Sequence, residues 1–169
     1  MEMEITKEDI NETAIMAELI RKTNIIDTGY VNSISDEIFN IQPSFLTVLL
    51  GYRFDITENE LEEIMIIYFL IWEYFKIKNT LPIKKVTEMD FEKIQNRNIQ
   101  MLKYSDGESS HNDKMKVYSN DLKYLKSKSL LAENICKFQY RPILIKMDEN
   151  KKNIILIGIK SFIECFETI

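Results

Sequence analysis

The sequence predicts an all-α protein: a single domain, residues 1–169, of six to eight helices arranged around a buried central helix at about 58–78. Two observations favour this class. Helix-start signals recur ahead of segments whose apolar residues have helical spacing. Only 4 glycines and 3 prolines occur among 169 residues, which are too few for a sheet protein with many tight hairpins.

The helix-start signal is a hydroxyl residue followed three positions later by an acid. The hydroxyl oxygen can accept a hydrogen bond from a free backbone N–H, and the acid complements the helix dipole. The signal occurs at Thr6/Asp9, Ser33/Asp36, Thr57/Glu60 and Thr87/Asp90. It predicts helices over about 7–22, 35–40, 58–78 and 88–104.

The first helix is expected to bury a stripe made of Ile10, Ala14, Ala17 and Ile20. Pro43 suits the first turn of a further helix, which is expected to end in a left-handed cap at Gly51.

The helix predicted at 58–78 contains an apolar run of nine residues from Ile64 to Trp72. This run would be roughly 14 Å long as a helix, about half of a bilayer core, so no membrane span is expected. A helix that is apolar on every face must be surrounded by others. We therefore expect this helix at the centre of the molecule.

Three later segments also have helical spacing. The helix at 88–104 is expected to turn Phe91, Ile94 and Leu102 inward, and a sixth helix follows Met115, Tyr118, Leu122 and Leu125. Leu131, Ile135 and Phe138 indicate a seventh, which Pro142 ends.

The C-terminal segment allows two interpretations. Residues 143–157 could form a β-hairpin, since two short isoleucine-rich runs flank a polar stretch. A longer helical stripe opposes this and is favoured: Ile155, Ile159, Phe162, Phe166 and Ile169, with Lys160, Glu164 and Glu167 opposite.

Charge is distributed unevenly along the chain, whose net charge is −5. Residues 1–73 carry a net charge of −11 and residues 74–146 a net charge of +7. Either these oppositely charged parts pack against each other, or one of them forms a surface that steers a charged partner. The candidate acidic surface is Glu8, Glu12 and Glu18 on the first helix, which would bind another protein with a basic surface.

The basic segment 114–128 is the candidate for an alternative function. Lys116, Lys123 and Lys126 lie away from the apolar stripe of the sixth helix and could contact nucleic acid. A solvated helix face is the simpler explanation. The acidic chain and the lack of a known reading motif make nucleic acid the less favoured partner.

His111 is the only histidine, which excludes multi-histidine zinc sites. Glu108 and His111 have the spacing that places two metal ligands on one helix face, but a second copy of the motif does not occur. A small metal-dependent enzyme is therefore the third hypothesis, behind a simple polar connector at 106–113. Four scattered glycines cannot form a phosphate-binding loop, so no cofactor is predicted.

Buried polar groups offer few further catalytic candidates. Glu73 lies between Trp72 and Tyr74 and is the acid we most expect to be partly buried, with a tyrosine or a lysine at the helix end as its partner. Cys136 and Cys165 are interpreted as small core residues in a reducing compartment.

By elimination, the sequence favours a non-catalytic cytoplasmic protein that binds another protein, of the inhibitor, immunity or adaptor type. The abundance of Ile and Asn, 27 and 13 residues, is typical of an AT-rich bacterial genome. The oligomeric state and the partner are not predicted by any pattern.

Overall fold

The computed structural model of the chain describes residues 5–107 and 125–169. These residues form eight α-helices and a short 3-10 turn at Tyr52–Phe54, and none of them is in a strand. The helices are α1 (Lys7–Asn24), α2 (Thr28–Ile41), α3 (Pro43–Gly51), α4 (Glu58–Ile77), α5 (Glu88–Gly107), α6 (Lys128–Tyr140), α7 (Pro142–Ile145) and α8 (Glu149–Thr168). The all-α prediction is confirmed. Within these two ranges, no helix is long and apolar enough to cross a membrane.

Three of the four predicted helix starts are present. At α1, α4 and α5 the threonine hydroxyl accepts the backbone N–H of the acid at 3.1–3.2 Å, and the acid accepts the threonine N–H in return. The prediction at Ser33/Asp36 is wrong, because α2 begins earlier, at Thr28. Asp27 caps α2 by accepting the N–H of Tyr30 at 2.7 Å.

The central position of α4 is confirmed. Ile64 and every residue from Ile66 to Phe75 are buried. Helices α1, α3, α6, α7 and α8 pack along α4, and α2 contacts it through Tyr30 and Glu37. Helix α5 packs mainly on α8, so α8 lies between α4 and α5.

Aromatic rings join four helices in the core. Phe45 of α3 is fully buried, with its ring centroid 4.8 Å from that of Tyr68 in α4 and 5.0 Å from that of Phe162 in α8. Phe91 of α5 stacks on Phe162 at 4.2 Å. Rings in tilted and edge-on pairs gain attraction beyond their buried area, so this cluster ties the α5–α8 layer to α4.

The C-terminal segment is helical, and the hairpin alternative is excluded by α7 and α8. Ile155, Ile159, Phe162 and Phe166 are all buried, as predicted. Glu164 was expected on an exposed face but is buried. The packing of α5 on α8 covers this carboxylate, which pairs with Arg97 of α5 and with Lys160 of α8 itself.

The predicted buried stripe of α1 is wrong at three of its four positions, and only Ile20 packs against the core, where it is partly buried. Ile10 is 63% exposed, and Ala14 and Ala17 are exposed as well. The residues of α1 that enter the core are Met16, Leu19 and Thr23. Burying a methionine and a leucine removes more apolar area from water than burying two alanines, which favours the observed rotation of the helix.

Gly51 does not form a left-handed cap. Its φ of −62° and ψ of −31° are helical, and the chain continues directly into the 3-10 turn.

The inward face of α6 also differs from the prediction. Ile135 and Cys136 are exposed, whereas Asn134 and Lys137 are buried beside Leu131 and Phe138. Neither side-chain polar atom of Asn134 has a hydrogen-bond partner. An unpaired buried amide costs about 1–3 kcal/mol, so α6 is packed less favourably than a fully apolar face would allow.

A pair of tyrosines packs against the only glycine of α8. The hydroxyls of Tyr52 and Tyr68 are 2.9 Å apart, and burial raises the pKa of Tyr52 to about 12, so this pair is neutral at physiological pH. A Cβ atom at Gly158 would collide with the Tyr52 hydroxyl. Gly51 differs, since a Cβ there would meet nothing within 4 Å.

We expect Gly158→Ala to lower the free energy of unfolding by about 1–3 kcal/mol, because the partly buried Tyr52, whose hydroxyl is bonded to the buried Tyr68, must move. Gly51→Ala should raise it by about 0.5–1 kcal/mol, because alanine suits an open helical position better than glycine. Urea unfolding of both variants measures the difference. Equal effects of the two substitutions would contradict this packing.

Candidate functional site

Glu12, one of the three candidate acids of the first helix, is engaged inside the fold. Its carboxylate accepts hydrogen bonds from the hydroxyls of Tyr74 and Ser129, the latter at 2.9 Å, and from Lys78 Nζ at 2.5 Å. These partners belong to α4, the segment after it and α6. Glu12 therefore joins separate parts of the fold, and it does not contribute a free charge to the outer surface of α1.

The other two candidate acids of α1 remain on the surface. Glu18 is exposed and forms an ion pair with Arg21 at 2.6 Å. Glu8 is exposed, and within the described ranges no ion pair or hydrogen bond of its side chain is found. Only Glu8 thus retains an unpaired charge among the three.

The second half of α4 carries one buried carboxylate, Glu73, and contacts another, Glu37 of α2. Glu73 accepts a hydrogen bond from Tyr30 at 3.1 Å and forms an ion pair with Lys22 at 3.0 Å. This agrees with the expected tyrosine partner, although the lysine comes from α1 rather than from the end of α4. Burial and the neighbouring Glu73 carboxylate raise the pKa of Tyr30.

Glu37 of α2 has a similar role. It accepts the indole N–H of Trp72 at 2.7 Å and pairs with Lys76 at 2.9 Å. Desolvation would raise the pKa of Glu37, but the bonds from Lys76 and Trp72 outweigh it and lower the pKa below its usual value.

Part of the uneven charge of the chain is used inside the fold. Glu12, Glu37 and Glu63 each pair with a base from residues 74–146: Lys78, Lys76 and Arg141. Three more acids, Asp9, Asp27 and Glu60, cap helices. The sequence left open whether the acidic and basic parts of the chain pair with each other or form a surface for a partner. These three ion pairs belong to the first alternative.

Five of the thirteen acids in residues 5–73 form no ion pair and cap no helix, and three of them, Asp55, Glu58 and Glu62, lie within eight positions of one another in the chain. We define the Phe54 corner as Leu50, Phe54, Asp55, Glu58 and Glu62. It includes the end of α3, the 3-10 turn and the first turns of α4.

The apolar part of the Phe54 corner is unusually exposed. Phe54 is 78% exposed and Leu50 is 40% exposed. The Arg53 guanidinium lies 4.8 Å from the centre of the Phe54 ring, and the backbone N–H of Asp55 donates to the Tyr52 carbonyl at 2.9 Å. The turn therefore presents the ring in an ordered conformation. Sequence reasoning missed Phe54, because one aromatic residue outside any periodic stripe carries no pattern.

The acids of the corner are only partly explained by helix electrostatics. Asp55 and Glu58 lie near the N-terminus of α4, where negative charge is favourable. That effect fades beyond the first turn, so it does not account for Glu62 in the second turn. Glu58 and Glu62 are four residues apart and share one face of the helix.

The basic segment 114–128 is described only at its end. Lys126 is exposed, and its backbone N–H donates to Glu167 at 3.1 Å. Lys116 and Lys123, as well as Glu108 and His111, lie outside the described residues. Among residues 5–107 and 125–169, no group of three or more His, Cys, Asp or Glu side chains could hold a metal ion.

A pocket of about 430 Å³ lies between α5 and the end of α8. Its charged lining residues include Arg97 and Glu164, which pair with each other. The Asn98 amide donates to Ser161 at 3.0 Å and to Glu164 at 3.2 Å. These polar groups hold α5 against α8, so their arrangement is explained by helix packing.

Comparison of the chain with protein-family models, curated proteins and solved structures found no match.

The Glu12 network predicts a specific stability change. Desolvation would raise the pKa of Glu12, but the bonds from Lys78, Tyr74 and Ser129 outweigh it and lower the pKa. A carboxylate with a lowered folded-state pKa stabilises the fold above its unfolded-state pKa, near 4.5, and loses that contribution as the pH falls further.

We expect Glu12→Gln to lower the free energy of unfolding at neutral pH by about 1–3 kcal/mol and to flatten its decline between about pH 5 and pH 3. Chemical denaturation at several pH values measures both effects. Glu8→Gln is the matched control and should change stability at neutral pH by less than about 0.5 kcal/mol. An equal loss of unfolding free energy in the two variants would show that the bonds of Glu12 to α4 and α6 do not stabilise the fold.

Proposed function

We propose that this protein acts by binding another protein in the cytoplasm, as an inhibitor, immunity protein or adaptor does, and that the Phe54 corner is the contact surface. The exposure of Phe54 carries the proposal: the 3-10 turn presents a large aromatic ring, 78% exposed, with the Arg53 guanidinium 4.8 Å from its centre and the unpaired acid Asp55 next in the chain. Aromatic anchors of this kind dominate the energetics of many interfaces.

The chemistry of the corner specifies the partner. Asp55, Glu58 and Glu62 follow the ring in the chain and carry unpaired negative charge, so a complementary partner has an apolar pocket with Lys or Arg side chains near it. The carboxylates would accelerate encounter, and the ring would slow dissociation. The proposed partner is a protein with a basic surface, as the sequence led us to expect. The proposed contact is the Phe54 corner rather than the acids of α1.

The experiment begins with affinity capture from the source cell, followed by binding kinetics with the purified captured protein at two ionic strengths. We expect Phe54→Ala to raise the dissociation rate by about tenfold or more. Asp55→Asn/Glu58→Gln/Glu62→Gln should reduce the association rate and its dependence on salt.

Two controls make this test specific. Phe39→Ala removes the other strongly exposed phenylalanine, 62% exposed, and should leave the kinetics unchanged. Glu8→Gln/Glu18→Gln examines the α1 surface in the same assay. The proposal is wrong if the corner variants bind like the wild type, or if only nucleic acid is captured; the latter result would favour Lys116, Lys123 and Lys126.

A further inference from the structure

Helix α6 is attached to other helices by polar bonds only at its two ends. Two hydrogen bonds attach its start to α8 and α1, and one ion pair attaches the residue after it to α4: Ser127 to Glu167, Ser129 to Glu12, and Arg141 to Glu63. Within residues 5–107 and 125–169, no side-chain hydrogen bond or ion pair joins residues 130–140 to another helix. The middle of α6 is therefore held in the bundle by apolar packing alone.

That packing is weakened by two polar side chains on the buried face. Asn134 and Lys137 are fully buried and lie three positions apart, alongside Leu130, Leu131 and Phe138. Among the described residues, neither polar atom of the Asn134 amide has a hydrogen-bond partner. A buried amide without a partner loses the hydrogen bonds that water would give it. Burial of this face therefore costs free energy that burial of an apolar face would not.

The ammonium of Lys137 has its polar contacts within its own helix. It lies 3.3 Å from the Tyr140 hydroxyl and 3.5 Å from the Glu133 carboxylate. Loss of water lowers the pKa of Lys137, and the Glu133 carboxylate only partly opposes this; Arg141 and Glu63, which pair with each other, act on Lys137 with opposite signs. Because both contacts belong to α6, Lys137 can return to water without breaking a bond to another helix.

We propose that α6 opens locally: residues 130–140 leave the bundle as a unit, while both ends of the segment stay attached and the other helices stay folded. Opening returns one amide and one ammonium to water and exposes only three buried apolar side chains, far fewer than opening α4 would. Eleven residues span roughly 16 Å as a helix and more than about 35 Å when extended, so the segment can unwind between fixed ends. The fold thus contains a conformational change of one helix, separate from the Phe54 corner.

Native-state hydrogen exchange tests this opening. We expect the amides of residues 132–140 to be protected at least about tenfold less than those of residues 66–75 in α4. Asn134→Leu replaces the unpaired amide by an apolar group of similar shape and should slow exchange in α6 by about fivefold or more. Gln139→Leu makes the same change at an exposed position of α6 and is the matched control, which should alter exchange by less than about twofold.

Gly158→Ala separates local opening from global unfolding in the same measurement. The added methyl group meets Tyr52 and Tyr68, which lie outside α6, so this packing stays intact when α6 alone opens. The substitution should therefore accelerate exchange in α4 by about fivefold or more and leave exchange in α6 unchanged. Three results would each overturn the proposal: equal protection of α6 and α4, equal acceleration of both by Gly158→Ala, or equal exchange in Asn134→Leu and Gln139→Leu.

Lysine acetylation provides a second test with a different readout. The side chain of Lys137 is fully buried, whereas Lys128 at the start of the same helix is exposed and serves as the internal control. With the N-hydroxysuccinimide ester of acetic acid, we expect Lys137 to react more slowly than Lys128, but while circular dichroism still shows a folded protein. Asn134→Leu should slow the reaction of Lys137 by about fivefold and leave that of Lys128 unchanged. Reaction of Lys137 as fast as Lys128, or only after global unfolding, would contradict local opening of α6.

Discussion

The apolar surface of α4 determines the arrangement of the other helices. From Ile64 to Trp72 the helix has no polar face, so each side must be covered by another part of the chain. Helices α1, α2, α3, α6, α7 and α8 provide this cover, and α5 adds an outer layer on α8. The aromatic cluster around Phe45 fills the space where α3, α4 and α8 meet.

Burying the second half of α4 creates a second requirement. Trp72, Glu73 and Tyr74 each bring a polar group into a region with little water, and a buried polar group without a partner costs free energy. Helices α1 and α2 supply those partners, through Lys22, Glu12, Tyr30 and Glu37. Three acids of the first 73 residues, Glu12, Glu37 and Glu73, are therefore explained by how α4 is packed. The acids left over at the Phe54 corner stand out because most others have structural partners.

The sequence predicted the features that depend on local spacing. Capping pairs such as Thr57/Glu60 and the apolar run of α4 act within a few residues, so they could be recognised without a structure. Features that depend on competition between distant groups were missed. The orientation of α1 follows from the area of Met16 and Leu19 and from the bonds of Glu12, neither of which has a periodic signature. Phe54 was missed because a single aromatic residue outside any periodic stripe carries no pattern, and the bonds of Gln42 to the loop between α4 and α5 join segments 40 or more residues apart, so the sequence could indicate neither feature.

The central claim is that α4 is enclosed on every side and is the last part of the fold to open. Native-state hydrogen exchange at increasing urea concentrations measures the opening free energy of each helix separately. We predict that the amides of residues 64–75 exchange only through global unfolding, so that their opening free energy equals the free energy of unfolding of the whole molecule. If these amides opened at a lower free energy than those of α1 or α8, α4 would not be the enclosed centre of the fold, and this account would be contradicted.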